Sequence, residues 1–242
     1  MKRPLLTKQH AIKQLDWARA HRGWTVGDWR KVIWSDECAI TKDISNPDSV
    51  WVSRHQTKKE KYAIQNIQVK SRDGGICQMI WGCFLSDKLG PIAFINGSVN
   101  QDVYRDVLND LLLPYIDALR ADGIDDIVYQ QDNASPHIGH KVLDFFENAR
   151  KEGRFIIMDW PPNLPDLNPI EKLWVTLKRE LHRRYPDTAT FKGSAKAIKA
   201  MLRECLMDVW WDIGAEVLNE LVESMPDRVN AVWHARGWYT DK

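Results

Sequence analysis

Three apolar runs follow one another between residues 31 and 97 before helices and strands begin to alternate, and that order constrains the fold more than any other feature. "KVIWSDECAI" (31–40), "GICQMIWGCFL" (75–85) and "GPIAFING" (90–97) are bounded by turn residues and read as buried strands. A hairpin turn around Asp87–Gly90 joins the second to the third. Then the period changes. From Gln101 to Leu119, apolar residues at three- and four-residue steps (Val103, Val107, Leu108, Leu111, Leu112, Tyr115, Ile116, Leu119) make one wide helical face. "DIVYQQD" (126–132) is a strand. "SPHIGHKVLDFFENAR" (135–150) opens on a Ser cap with Pro in the first turn, so it is a helix. "RFIIMDW" (154–160) is the fifth strand. A helix follows "WPPNLPDLNP", and two more, near 191–211 and 213–235, end the chain. Ahead of the first strand, residues 4–21 read as an amphipathic helix with Ile12, Leu15 and Ala18 on one face. Residues 41–75 are polar and irregular, with one short strand, "VWVS".

Three meandering strands followed by alternating helices and strands suggest an α/β fold: a mixed five-stranded sheet flanked by helices, with a helical C-terminal tail. That is the ribonuclease H-like arrangement. The expected division is a helical segment at 1–30, a core at 31–185 with 41–75 as an insertion, and C-terminal helices at 186–242 packed on that core. A hydrophobic content of 44% is enough for a sizeable buried core, and most of the 12 tryptophans sit inside apolar patterns. Cys38, Cys77, Cys83 and Cys205 form no CxxC pair and have no zinc-ligand spacing; Cys38, Cys77 and Cys83, in strand-like apolar runs, read as buried, reduced thiols, which fits an intracellular protein. There is no signal-peptide pattern and no membrane-length apolar run. The formal net charge of +1 neither favours nor excludes nucleic acid.

Carboxylates stand where these rules disfavour them. Asp36 follows "KVIW" in an apolar strand, where an ionised group is costly unless paired or bound to a cation. A partly exposed strand-end aspartate is the plainer alternative. Asp132 ends the fourth strand, where α/β proteins place their sites, though an Asx-turn explains it equally well. Glu171 lies three residues after Asn168, a good cap followed by Pro169, and so fits a capping box. Taken together the three read differently. If the first and fourth strands are neighbours, Asp36 and Asp132 face each other, and Glu171 on an overlying helix completes a cluster. Three carboxylates so close repel one another. Hard divalent cations such as Mg²⁺ or Mn²⁺ remove that penalty, and two of them can activate an attacking oxygen and stabilise the leaving one in phosphoryl transfer.

"WSDE" (34–37), "IWGCF" (80–84), "GPIAFINGSVN" (90–100), "QDNASPH" (131–137), "WPPNLPDLNPIEKLW" (160–174) and "SMPDRVNAVWHARG" (224–237) resemble, in this order, the signature blocks of mariner-type DDE transposases. The resemblance runs from about Pro4 to Gly237. It implies a ribonuclease H-like catalytic domain that cuts double-stranded DNA at transposon ends and joins the freed 3′-hydroxyl to target DNA. It also implies a catalytic and metal-binding triad of Asp36, Asp132 and Glu171, two Mg²⁺ or Mn²⁺ ions per site, a homodimer in the DNA complex and, in a eukaryote, a nuclear location. Three departures stand out. The 38 residues between Asp132 and Glu171 are on the long side for the family. Leu164 replaces the usual serine. The helix-turn-helix modules that normally precede such a domain are not in this sequence.

Two basic clusters are candidate DNA contacts: Arg54, Lys58, Lys59 and Lys61 in the insertion, and Lys178, Arg179, Arg183 and Arg184 on the helix that carries Glu171. Phosphate neutralisation there would make binding salt-sensitive; a solvated face is the plainer reading of each. His137 is a further candidate, for a phosphate or a metal-bound water, against a helix-start histidine bonded to backbone. Asp159 and Asp166 are weaker rivals for the third carboxylate. Other functions consistent with the blocks are a domesticated, non-catalytic DNA- or partner-binding descendant and a plain ribonuclease H-like nuclease.

Overall fold

In the computed structural model, which describes residues 6–42, 75–162, 164 and 167–240, strand β1 (Val32–Thr41) is the centre of the sheet. Its first half is apolar on both faces, and Val32, Ile33 and Trp34 are all buried. Strands β2 (Cys77–Leu85), β3 (Lys88–Ile95), β4 (Val128–Tyr129) and β5 (Ile156–Ile157) complete a five-stranded sheet in the order β3-β2-β1-β4-β5. β2 and β3 are antiparallel, whereas β4 pairs in parallel with both β1 and β5. The sheet is therefore mixed, as the order of runs implied. The chain divides into two compact units, one drawn from Met1–Cys38, Met79–Trp174 and Ile213–Lys242, the other from Ala39–Gln78 and Val175–Asp212.

Several boundaries differ from the sequence reading. The hairpin turns on Ser86 and Asp87, with Ser86 in the left-handed region (φ 53°). Gly90 is inside β3 instead, because a Cβ there would overlap the Cys83 thiol and lie 2.9 Å from the Cys83 carbonyl oxygen. β4 and β5 are two residues each, since the apolar alternation in their sequences outlasts their ladders. The long helix expected over 101–119 is two helices, α3 (Gln101–Val107) and α4 (Leu113–Ala121), joined by a wide π turn at Leu108–Leu112. Pro114 gives the reason. It has no N–H for the Asp110 carbonyl, and its ring crowds that carbonyl, so the preceding turn widens. Leu108 and Leu112 both stay buried across it. The last long helix is likewise two, α8 (Ala215–Glu223) and α9 (Met225–His234), with Pro226 in the first turn of the second.

The N-terminal helix α1 (Lys8–His21) starts later than expected and is capped by Thr7. Its buried residues are Ala11, Gln14, Trp17 and Ala18, while Ile12 is 50% exposed. Gln14 disguised the face: it is buried because its amide donates to the Pro162 carbonyl at 2.9 Å. A short helix α2 (Val26–Trp29) follows. Trp17 packs edge-on to Trp160 (centroids 5.0 Å apart), Trp29 stacks on Trp34 at 5.9 Å and Trp34 meets Trp160 at 6.0 Å. Such pairs add about 0.5–1.5 kcal/mol each beyond the area they bury. They fix the proline-rich segment after β5 against α1 and β1. The other core of this unit lies between β1–β4 and helices α3, α4 and α5 (His140–Lys151), around Ile33, Trp81, Tyr104, Tyr129 and Phe146.

Helix α6 (Ile170–Arg184) carries the expected stripe: Ile170, Leu173, Trp174, Leu177 and Leu181 are all buried. Its first turn belongs to the first unit and the remainder to the second, which also contains α7 (Ala195–Trp211). All four cysteines are free thiols, three of them buried and Cys77 partly so. Among the described residues no helix is long and apolar enough to cross a membrane. The "VWVS" segment and the 53–62 basic cluster lie outside the described residues.

Candidate active site

Strand register brings the first two carboxylates together. Val32 pairs with Val128 and Ile33 with Tyr129, so three residues past the Ile33–Tyr129 pair, Asp36 within β1 and Asp132 just beyond β4 come side by side. The ladder is replaced there by side chains. The Ser35 N–H donates to Gln130 Oε1 (3.3 Å), and the Ser35 hydroxyl reaches the Gln130 carbonyl (2.8 Å) and the Tyr129 phenol (2.9 Å). This polar floor is fully buried and ties β1 to β4 directly beneath the aspartates.

Asn168 places the third carboxylate. It is 4% exposed, and its amide donates to the Ser35 carbonyl at 3.1 Å. Its Oδ1 accepts the Ile170 N–H at 3.3 Å, so it caps α6 as its sequence position implied. One side chain thus fixes the start of α6 to the residue before Asp36. Glu171, in the first turn, is then held beside Asp36. Asn168→Ala is expected to cost about 1–2 kcal/mol in a thermal melt, the usual effect of removing a helix cap. A loss well below that would mean the anchor to Ser35 contributes little.

Asp36, Glu37, Asp132, Asn133 and Glu171 line one cavity of 360 Å³, walled by Trp160, Pro161, Pro162 and Leu164. In place of the family's usual serine, Leu164 presents an apolar surface, 5% exposed. Burial pushes the Asp36 carboxyl well above the usual range, and the nearby charges of Glu171, Glu37 and Asp132 push it further. The Glu37 N–H bonded to Asp36 Oδ1 (2.7 Å) only partly offsets this. Asp132 behaves oppositely. Burial opposes its charge, but His137 and the Ala134 N–H (2.9 Å) outweigh it and hold the carboxyl below its ordinary value. The Asx-turn that is the plain reading of Asp132 is therefore present alongside the cluster.

The sequence pattern puts His137 at a helix start, on a DNA phosphate or a metal-bound water. It sits instead in a turn ahead of α5, which is capped by Gly139, and its side chain is 3% exposed. Nδ1 lies 2.6 Å from Asp132 Oδ1, and Nε2 lies 3.3 Å from Glu37 Oε1. Its ring stacks on Tyr104 with centroids 3.9 Å apart. Burial works against its charge, yet Asp132 and Glu37 together raise its pKa to about 10. It is an imidazolium between two carboxylates. Glu37 escapes a sequence reading of the site: strand alternation assigns it to the face opposite Asp36, and its partner is 100 positions away in sequence.

The donor set is all carboxylate, and it leaves Asp36 with excess negative charge nearby. Both features suit a hard divalent cation. Among the described residues no three of these side chains already stand as a ligand set. Asp132 is drawn onto His137, and the charges of Glu171, Glu37 and Asp132 disfavour the Asp36 anion.

The remaining candidates are dispersed. Asp159 lines a separate groove with α1 residues Lys13 and Trp17, and Asp166 lies outside the described residues. Arg54, Lys58, Lys59 and Lys61 lie outside them too. On α6, Arg183 pairs with Glu180 at 2.8 Å, and Arg184 is engaged by Asp208 (3.6 Å) and Asp212. Lys178 is partly buried and Arg179 exposed.

Residues 31–192 match the family described as DDE superfamily endonuclease. The Tc1 transposase of Caenorhabditis elegans is 32% identical over 240 residues, spanning 99% of this chain and 81% of that protein. The Tcb1 transposase of Caenorhabditis briggsae is equally similar, 32% over 241 residues with the same coverage. In structure, the catalytic domain of the Mos1 mariner transposase superposes over the full length of both chains with a TM-score of 0.69 at 14% identity. Mos1 in a paired-end complex with its left transposon end gives 0.70 at 16% identity, covering 98% of this chain and 65% of that one. Carboxylates gathered by strand register at the end of a mixed five-stranded, ribonuclease H-like sheet, in a chain so matched, make this a transposase catalytic domain that belongs to the DDE superfamily of endonucleases.

Proposed function

We propose that this domain hydrolyses DNA at transposon ends and joins the exposed 3′-hydroxyl to target DNA, with Asp36, Asp132 and Glu171 as ligands for two Mg²⁺ or Mn²⁺ ions. The observation that carries the proposal is the convergence of Asp36, Asp132 and Glu171 on one cavity, where burial and the charges of Glu171, Glu37 and Asp132 disfavour the Asp36 anion. Relatives support it. The Mos1 catalytic domain has been solved with Mg and with Mn, and Mos1 as paired-end and strand-transfer complexes.

When bound, the cations would polarise the scissile phosphate and make water or a 3′-hydroxyl nucleophilic. The protein supplies the rest. Asp36 and Asp132 are set by the sheet register and Glu171 by the Asn168 anchor, so the ligands are pre-positioned by rigid elements. Trp160, Pro161, Pro162 and Leu164 wall the cavity and restrict water. Lys178, Arg179, Arg183 and Arg184, with the 53–62 cluster, supply phosphate contacts. Arg184 must then exchange at least one carboxylate partner for DNA. Two copies act together, because two transposon ends are joined in one event.

The test is Mn²⁺-dependent nicking of supercoiled plasmid, and joining of a pre-cut 3′-hydroxyl end, by wild type and Glu171→Gln. Loss of both activities in a variant that melts like wild type is expected. A Glu171→Gln protein that loses about 1 kcal/mol of stability but keeps its activity would make Glu171 a cap only. Nicking without joining would point to a plain nuclease. Replacing Arg183 and Arg184 by Ala should weaken DNA binding and flatten its salt dependence by about 0.9 for each phosphate no longer neutralised. An unchanged slope would remove them from the footprint.

A further inference from the structure

We infer that Glu37 and His137 are positioning residues for the second catalytic carboxylate: Glu37 fixes the His137 ring, and His137 fixes Asp132 through one oxygen only. This rests on the reading of Asp36, Asp132 and Glu171 as cation ligands.

Among the described residues, every bond to the Asp132 carboxylate falls on Oδ1. The Ala134 N–H reaches it at 2.9 Å and His137 Nδ1 at 2.6 Å. A carboxylate held at one oxygen by two donors has a defined rotation, and its second oxygen is committed to none of them. The ring that holds it is itself held twice more: Nε2 meets Glu37 Oε1 at 3.3 Å, and the Tyr104 ring stacks on its face at 3.9 Å. The Gln131 amide donates to the His137 backbone carbonyl at 3.4 Å. Tyr104 is locked in turn, its hydroxyl donating to Gln131 Oε1 at 2.7 Å and bonded to the Tyr129 phenol at 2.9 Å. The chain of contacts therefore runs from the sheet, through Tyr104 and Glu37, to the ring and then to Asp132. An imidazole orienting a carboxylate ligand works as outer-shell partners of metal sites do, where loss typically costs about 10–100-fold in metal affinity.

Glu37 shares the cavity with the triad and is adjacent to Asp36, so it has the chemistry of a ligand. Its bond to His137 makes it a support for one instead. The two roles separate on substitution. Glutamine preserves an oxygen that accepts from Nε2–H but is a poor replacement for an anionic ligand. Alanine removes both.

Mn²⁺ affinity is measured by titration of the unbound ion's paramagnetic signal, on wild type, Glu37→Gln, Glu37→Ala, His137→Ala, the Glu37→Ala/His137→Ala pair and Glu171→Gln. Thermal melts are run on all of them. The expected result has four parts. Glu37→Ala and His137→Ala each weaken Mn²⁺ binding about 10–100-fold. The pair is no worse than either single change. Glu37→Gln stays within about threefold of wild type. Nicking by Glu37→Ala returns at saturating Mn²⁺. If Glu37→Gln is as damaged as Glu37→Ala, Glu37 is itself a ligand and the inference falls. If both alanine variants bind Mn²⁺ like wild type and only melt lower, the network is structural and the inference also falls. Should His137→Ala not fold, the Glu37→Ala and Glu37→Gln comparison decides alone. Unweakened binding by Glu171→Gln would instead overturn the triad reading beneath it.

Discussion

Asp36→Asn is expected to abolish cleavage and yet make the metal-free protein harder to melt. Loss of activity follows from the proposed role of Asp36 as one of three cation ligands. A factor of about 10²–10³ is the floor, the scale seen when a single charge-stabilising group leaves a catalytic centre. The gain in stability follows from the sign of the Asp36 shift. Its folded carboxyl lies above the unfolded value, because burial and the Glu171, Glu37 and Asp132 charges all disfavour the anion. Below the unfolded pKa the group is neutral in both states and contributes nothing. As pH rises through the folded pKa, the penalty develops in full. Metal-free wild type should therefore lose stability across that window, and Asp36→Asn should lose less. In a chain of this size each kcal/mol moves the midpoint by about 2–4 °C. Melts in chelator from about pH 4 to 8 would show the two curves diverging with rising pH. Added Mg²⁺ should raise the wild-type midpoint, by about 2.7 kcal/mol of stability at a hundredfold excess over Kd, and the variant much less. Curves that stay parallel, or a variant that melts lower at the alkaline end, would mean the carboxylates do not repel as the structure implies.

The cluster was readable because two of its members break a local rule. Asp36 interrupts an apolar strand and Asp132 terminates one. Parallel pairing of the first and fourth strands then brings them together without further information. Glu171 was readable only jointly with them, since a cap explains it on its own, and its place in the triad is what the signature blocks imply. What supports the cluster was hidden. Glu37 alternates with Asp36 and so reads as facing the other way. His137 follows Ser135–Pro136, which imitates a helix start, although the helix is capped at Gly139. Their bond joins residues 100 apart, and no local pattern encodes it. The fold shows the same division. Strand order and helix α6 follow from hydrophobic period, whereas strand ends, the π turn before Pro114 and the buried Gln14 depend on partners far away in sequence. Asn168 shows both sides at once: its capping role is local and legible, but its bond to Ser35, which places Glu171 beside Asp36, is not.

Gly237→Ala is expected to lower the melting midpoint far more than Gly123→Ala. Gly237 closes the C-terminus of α9, where its N–H reaches the Val232 carbonyl at 2.9 Å and its φ is 78°. Any side chain there incurs the left-handed penalty, about 1–2 kcal/mol. Space adds to it. A Cβ would overlap the Ala11 carbonyl oxygen and come within 2.7 Å of the Ala11 carbonyl carbon and 3.0 Å of the Leu15 nitrogen. These are backbone atoms of α1 and cannot rotate away, so α1 must shift, at a further cost of about 1–3 kcal/mol. The expected loss is about 2–5 kcal/mol. Gly123→Ala is the control, because Gly123 has φ 84° and no atom within 4 Å of its would-be Cβ, so it should cost the conformational term alone. The difference between the two melts isolates the steric part. That part bears on function, because α1 holds the cavity wall through the Gln14 bond to Pro162 and the Trp17–Trp160 contact. At temperatures where Gly237→Ala is still folded, its nicking rate should fall while that of Gly123→Ala does not. Equal midpoints for the two variants would show that α1 yields freely, and that the proline-rich wall of the site is not held from behind by this helix.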